Sequence, residues 1–204
     1  MKKTILCALF FCQLASGYTQ VVSGSDITAT ASSELRDSRS LYAAQNLVDG
    51  SFQSWAEGVR GNGTGASFTL TVRWPLWIAG FALKNGYGDL NYFQMNNRVK
   101  SFKIYIDDEY IETIAVKDSI HFEQYALQTP VEGKKIRFVI DSVYPGTAYD
   151  DTCVAEIALL TEILGDENFY HVILPMVSLY EQQRTNPRGT MESVSDPDKI
   201  RLLD

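Results

Sequence analysis

The sequence predicts an all-β domain, an antiparallel sandwich or jelly roll, followed by a short extension. Three observations carry this. Between Ile27 and Leu160 the apolar residues fall in short runs, several alternating with polar residues as a strand with one face on a core requires. No helical periodicity separates the runs, so successive strands are expected to pair antiparallel. Loops rich in Gly, Asn, Asp and Pro join them, and these residues interrupt regular structure.

Taken in order, the chain opens with Lys2 and Lys3, then an apolar run from Ile5 to Leu14 and the small residues Ala15-Ser16-Gly17. This is the pattern of an export signal, with cleavage expected before Tyr18. The run is shorter than the about 20 residues a membrane helix needs, which disfavours an uncleaved anchor. Phe10 and Phe11 ahead of Cys12 disfavour a lipoprotein, and the Met-Lys-Lys-Thr start points to a bacterium. With residues 1–17 removed, Cys153 is the sole thiol. It then has no disulfide partner within the chain and belongs to no CxxC motif. Cys153 opens an apolar run to Leu160 and reads as a buried small hydrophobe, the alternative being a reactive thiol.

The domain is expected over residues 26–162. Ser67 to Arg73 alternates strictly, and Leu76 to Lys84 is a more continuous run, expected to be buried on both faces. Phe102, Ile104 and Ile106 share one face of the next strand. Asp107-Asp108 turns it into a hairpin with Tyr110 to Val116. Ile120 to Leu127, Lys135 to Ile140 and Cys153 to Leu160 complete the set. Three loops stand out: Gly58 to Gly65 with four glycines in eight residues, Asn85 to Asn97, and Tyr144 to Thr152. Long loops on a β scaffold are where binding residues usually sit. Residues 163–204 read as an extension, partly helical or disordered: a helix over Asn168 to Gln183 would be interrupted by Pro175. Its apolar patch Phe169 to Tyr180 either packs back on the sandwich or docks a partner protein.

Composition narrows the function classes. The 204 residues are 45% hydrophobic, 12% aromatic and 21% charged, ordinary for one globular domain with a tail. Lys and Arg number 18 against 25 acidic residues, a net −7, and loss of Lys2 and Lys3 with the signal takes this to −9. Neither nucleic acid nor an anionic membrane is an expected partner of such a chain. The catalytic inventory is thin. His121, read on a strand, and His171, in the apolar patch, accompany no Gly-x-Ser-x-Gly elbow and no metal motif. The glycine-rich loop lacks the Lys-Ser/Thr of a phosphate cradle. Glu57, Asp150, Asp151 and Glu156 are the carboxylates in or beside the loops. A glycosidase needs two of them about 5–10 Å apart; the other reading is that they cap loops, hold a cation or pair with Arg60 and Arg98.

One constellation is more specific. Asn46-Leu47-Val48-Asp49-Gly50 precedes Ser54 and Trp55, and Ala155-Glu156-Ile157 lies in the last strand. Together they resemble the discoidin, or coagulation factor 5/8 type C, superfamily, whose fold is the galactose-binding-like jelly roll. Further pieces are Ala31-Ser32-Ser33, Trp55-Ala56-Glu57-Gly58, Asn85-Gly86-Tyr87, Asn97-Arg98-Val99-Lys100, Val143-Tyr144-Pro145-Gly146 and Tyr149-Asp150-Asp151-Thr152-Cys153. With these the chain is more closely similar to the glycan-binding, translocation-associated domain of NAD glycohydrolase, from about Asp26 to Leu160. Nothing resembles that enzyme's catalytic domain.

The resemblance implies an exported, non-catalytic carbohydrate-binding module. It implies a structural calcium held by Asp49, Ser54 and Glu156, with carbonyls near Asn46 and Ser51 completing an oxygen shell; the alternative is that Asp49 caps a turn and Glu156 makes an internal hydrogen bond. It also places a ligand site in the loops. There Trp55 and Tyr87 would stack on a sugar face, and Glu57, Asn85, Asn97, Arg98, Tyr149 and Asp151 would surround it, largely as hydrogen-bonding groups. Against this, Trp55 reads equally as a core residue, and Arg98 as a tie between loops through Glu57 or Asp151. Two rival functions stand beside the lectin: a module docking a partner protein, and a jelly-roll glycosidase or lyase using Glu57 with Asp150 and Asp151.

Overall fold

The computed structural model describes residues 27–37, 41–51, 53–162 and 170–172. The signal expected over 1–17 and most of the extension lie outside these residues. Among the described residues eight strands run in chain order: β1 Ile27–Ala31, β2 Trp55–Ala56, β3 Ser67–Asn85, β4 Asn97–Ile106, β5 Glu109–Ala115, β6 Glu123–Tyr144, β7 Thr152–Glu162 and β8 Tyr170–Val172. A 3-10 turn at Ala44–Val48 and one helical turn, α1 at Leu90–Phe93, are the helical elements among the described residues.

The sheet runs in the order β1-β3-β6-β4-β7-β2, with β5 on β4 and β8 on β7. β7 pairs parallel with β4 and antiparallel with β3. The circuit β3-β6-β4-β7 therefore closes on itself, which leaves its members few unpaired edges. Closure depends on two long strands that bend. β3 pairs with β6 through three stretches, separated by register breaks between Thr71 and Leu76 and between Ile78 and Gly80. The first contains Pro75, which has no N–H to give a ladder. Thus the two runs read on either side of Pro75 are halves of one bent strand.

Alternation places the core as the sequence predicts. Phe68, Leu70 and Val72 of β3, Phe102, Ile104 and Ile106 of β4, and Ile136, Phe138 and Ile140 of β6 are all buried. Phe138 lies 5.0 Å from Phe68, 5.1 Å from Phe81 and 5.6 Å from Phe102 between ring centroids. Every residue from Ile78 to Asn85 is buried, because this half of β3 is covered on both faces: Ala82 packs with Phe122, Ala158 and Leu160 in a second, smaller cluster. The Asp107-Asp108 hairpin turn has φ of 47° and 71°, and backbone N–H groups of Lys134 and Lys135 donate to the Asp107 carboxylate.

Two local readings are corrected. His121 sits in a bend before β6, where its N–H donates to Ser119 Oγ, and not on a strand. In the extension, Tyr170–Val172 is a strand on the end of β7, with His171 opposite Thr161, where the sequence suggested a helix. Cys153 is buried and free, and burial raises its thiol pKa, as expected of a small core residue.

Candidate functional site

The three long loops gather into one cluster, tied mainly by backbone groups. Thr147 N–H donates to Gln94 O, Ala148 and Tyr149 N–H to Met95 O, and Asn97 N–H to Asp151 O. Thr152 Oγ1 donates to Asn62 O, joining the glycine-rich loop to β7. Most of the residues expected to hold a ligand are spent making this cluster rigid.

Trp55 is the first correction. It is fully buried, edge-on to Phe68 at 5.3 Å, and its indole N–H donates to Ser33 O. Neither ring face is open to a sugar. Glu57 is also fully buried: its two oxygens accept from Val59 and Thr152 N–H. Burial is the main cause that raises its pKa, opposed by those two hydrogen bonds. Asn85 donates to Val99 O and Lys117 O and accepts from the N–H groups of Gly86 and Val99. Asn97 donates to Asp150 O and accepts from Gly146 N–H. Each side chain substitutes for a missing ladder partner where the backbone leaves the sheet.

Arg98 ties loops together, but not through Glu57 or Asp151. Its Nε and Nη2 donate to the two oxygens of Asp118 at 2.9 and 2.6 Å, and Nη1 donates to Asn96 O and Pro145 O. The guanidinium lies 5.4 Å from the Phe93 ring centroid. With its donors consumed and its surface covered, Arg98 has little left for a ligand.

Tyr87, Tyr149 and Asp151 remain accessible. Tyr87 is half-buried between Tyr42, at 6.3 Å between ring centroids, and Tyr92, at 5.5 Å. Burial pushes its hydroxyl up to about 12, helped by a hydrogen bond with Tyr42. Tyr92 is 45% exposed, and Leu41 and Leu90 beside the trio in sequence are also exposed. Asp89 caps α1 by accepting from Asn91 N–H, and α1 leaves Asn91, Tyr92 and Gln94 exposed. Tyr149 and Asp150 are exposed on the third loop; Asp151 is half-exposed, its pKa raised by burial and by Asp150. Tyr42 and Tyr92 were not singled out by the sequence. The only signal was the abundance of Tyr in the second loop.

The residues implied as calcium ligands are built differently. Asp49 accepts from Ser51 N–H at 2.7 Å, closing an Asx turn around Gly50, whose φ is 73°. Gly50 N–H donates to Glu156 Oε1 at 3.4 Å, and Ser54 Oγ accepts from Gly88 N–H. Glu156 is fully buried and its Oε2 has no hydrogen-bond partner. Asp49 and Lys84 both act on it electrostatically. Burial raises Glu156 and lowers Lys84, and each charge opposes the shift of the other. A buried lysine opposite Glu156 in the β3–β7 register does not fit a calcium shell, which gathers about six to eight oxygens and no cation. Among the described residues, no group of three or more His, Cys, Asp or Glu side chains is placed to hold a metal.

A closed β-sandwich with a loop cluster at the Asp-Gly turn defines the class: a galactose-binding-like domain. Residues 18–160 match the family described as the NAD glycohydrolase translocation F5/8 type C domain, and the chain belongs to that family. No curated protein matches. Among solved structures, a family 32 carbohydrate-binding module from a Clostridium perfringens family 31 glycoside hydrolase superposes with a TM-score of 0.56 at 15% identity, covering 70% of this chain and 95% of that one. A second C. perfringens module of family 32, in complex with GalNAc-β-1,3-galactose, gives 0.51 at 17%, covering 69% and 99%. The family 32 module of C. perfringens NanJ, in complex with galactose, gives 0.50 at 14%, covering 68% and 96%. At these identities the likeness is one of fold.

Proposed function

We propose that this chain is an exported, non-catalytic carbohydrate-binding module whose contact surface is the tyrosine group Tyr42, Tyr87 and Tyr92, with Tyr149 and Asp151 on the adjoining loop. The observation that carries this reading is the partly open aromatic group on loops held rigid by the internal hydrogen bonds of Glu57, Asn85, Asn97 and Arg98. Tyrosine offers an apolar ring for a sugar face and a hydroxyl for its rim, and Asn91 and Gln94 add amide groups. Rigid loops lower the ordering cost of binding. The family's fold relatives in complex with galactose and GalNAc-galactose support a neutral sugar as ligand.

Catalysis has less support. Glu57 is fully buried and each of its oxygens accepts from a backbone N–H, so it presents no accessible oxygen to a substrate. A partner-protein role is the second reading, favoured by the translocation in the family's description.

The test is binding of residues 18–204 to a broad glycan array, with Tyr87→Ala and Tyr92→Ala beside the parent. Selective binding that weakens about tenfold or more in variants of unchanged thermal midpoint is expected. Full binding by both variants would move the contact surface elsewhere. A folded parent that binds no glycan would favour the partner protein.

A further inference from the structure

Lys84 on β3 and Glu156 on β7 are direct partners in the antiparallel register. Their side chains therefore leave the same face of the sheet. Both residues are buried, at 3% and 0% exposure, and Asp49 on the Asp-Gly turn is the second carboxylate acting on Glu156. We propose that the Lys84 ammonium is the built-in counter-cation of the Asp49–Glu156 pair, and that it takes in this chain the bracing role of a divalent ion.

Charge and hydrogen bonding both favour this. An ion pair taken out of water needs its opposite charge close by, and an unmatched buried carboxylate is costly. Lys84 supplies that charge covalently, from a neighbouring strand. A divalent ion entering beside it would be repelled by the ammonium and would leave the group with excess buried positive charge. The oxygens that would surround an ion already have work. Asp49 accepts from Ser51 N–H, Ser51 Oγ from Gln53 N–H at 3.0 Å, and Ser54 Oγ from Gly88 N–H at 3.0 Å. Asn46 Nδ2 donates to Ser54 O at 3.1 Å. The turn is thus shaped by its own groups, and Glu156 clips it to β7 through Gly50 N–H. The second oxygen of Glu156 accepts no hydrogen bond among the described residues.

Two measurements test the proposal. Calcium is titrated calorimetrically into the parent chain, and thermal midpoints are compared in calcium and in chelator. No saturable heat and a single midpoint are expected. One calcium bound per chain, with the midpoint raised by roughly 5 °C, would overturn the proposal. Second, Lys84→Met, Glu156→Gln and the double variant are unfolded in urea. Lys84→Met leaves a buried anion uncompensated, so the double variant is expected to lose less than the two single variants together. A Lys84→Met chain that fails to fold while the double variant folds gives the same answer. Strictly additive losses would overturn the pairing.

Discussion

Arg98 shows how one residue is read two ways. In a loop rich in Asn and Gly, an arginine is the type of side chain that binds a ligand, and its number in the sequence says nothing about where its donors point. The structure spends them on Asp118, Asn96 O and Pro145 O, with the side chain 4% exposed and that of Asp118 32% exposed. Arg98→Met leaves Asp118 and two carbonyls without their donor. A loss of about 3 kcal/mol in urea unfolding is expected, the lower end for a buried pair because Asp118 is partly wet. Arg98→Lys is expected to recover only part of this, since an ammonium cannot make the bidentate fork. Equal stability of parent and Arg98→Met would mean that the loops hold without it. The same ambiguity affected Trp55, Glu57, Asn85 and Asn97: the sequence located the cluster, but the inward direction of each side chain depends on strands far away in the chain. Lys84 was passed over for the opposite reason. A lysine ending an apolar strand looks like a surface residue until the β3–β7 register sets it opposite Glu156.

At the scale of elements, period-two alternation made the faces of β4 from Phe102 onward and of the first half of β3 legible, because there each buries mainly one side. It could not reveal that β3 and β6 are each continuous through a bend, since the break around Pro75 looks like a strand end. Nor could it reveal α1 or the 3-10 turn, which are too short to show a helical period. The glycine-rich loop was legible as a loop but not for its purpose, which is to close over Glu57. Gly63 has φ of 71°, and a methyl group there would stand 2.6 Å from Glu57 Cγ. Gly63→Ala therefore combines a left-handed backbone with a clash against a buried carboxylate held by Val59 and Thr152. A loss of about 2 kcal/mol is expected by chemical denaturation. An unchanged transition midpoint would show that the loop can withdraw without disturbing Glu57.

For the whole molecule, the fold was legible because closure needs only the strand order and the spacing of apolar runs, whereas stability against pH depends on which carboxylates the closed circuit buries. Glu57 and Asp151 both have raised pKa values, chiefly through burial, and Glu156 is raised by the same cause. A carboxyl whose pKa is higher in the folded than in the unfolded chain binds protons more tightly when folded. Its favourable contribution is complete below the unfolded value, which is 4.5 for glutamate here, and is lost as pH rises through the folded value. Asp141, lowered by Lys103 and Ser101, has the opposite sign but acts below the ordinary aspartate value of 3.8. Between about pH 5 and about pH 7, then, stability should fall as pH rises. The chain's net charge of −7 adds self-repulsion of the same sign, since protonation relieves it. Urea midpoints measured across this window should decline toward neutrality, and Glu57→Gln should flatten the decline. The amide sets an NH2 group against a backbone donor, so that variant is expected to be weaker at every pH, and the slope is the quantity to compare. A parent whose midpoint rises with pH would mean that groups with lowered pKa values outweigh these buried carboxyls.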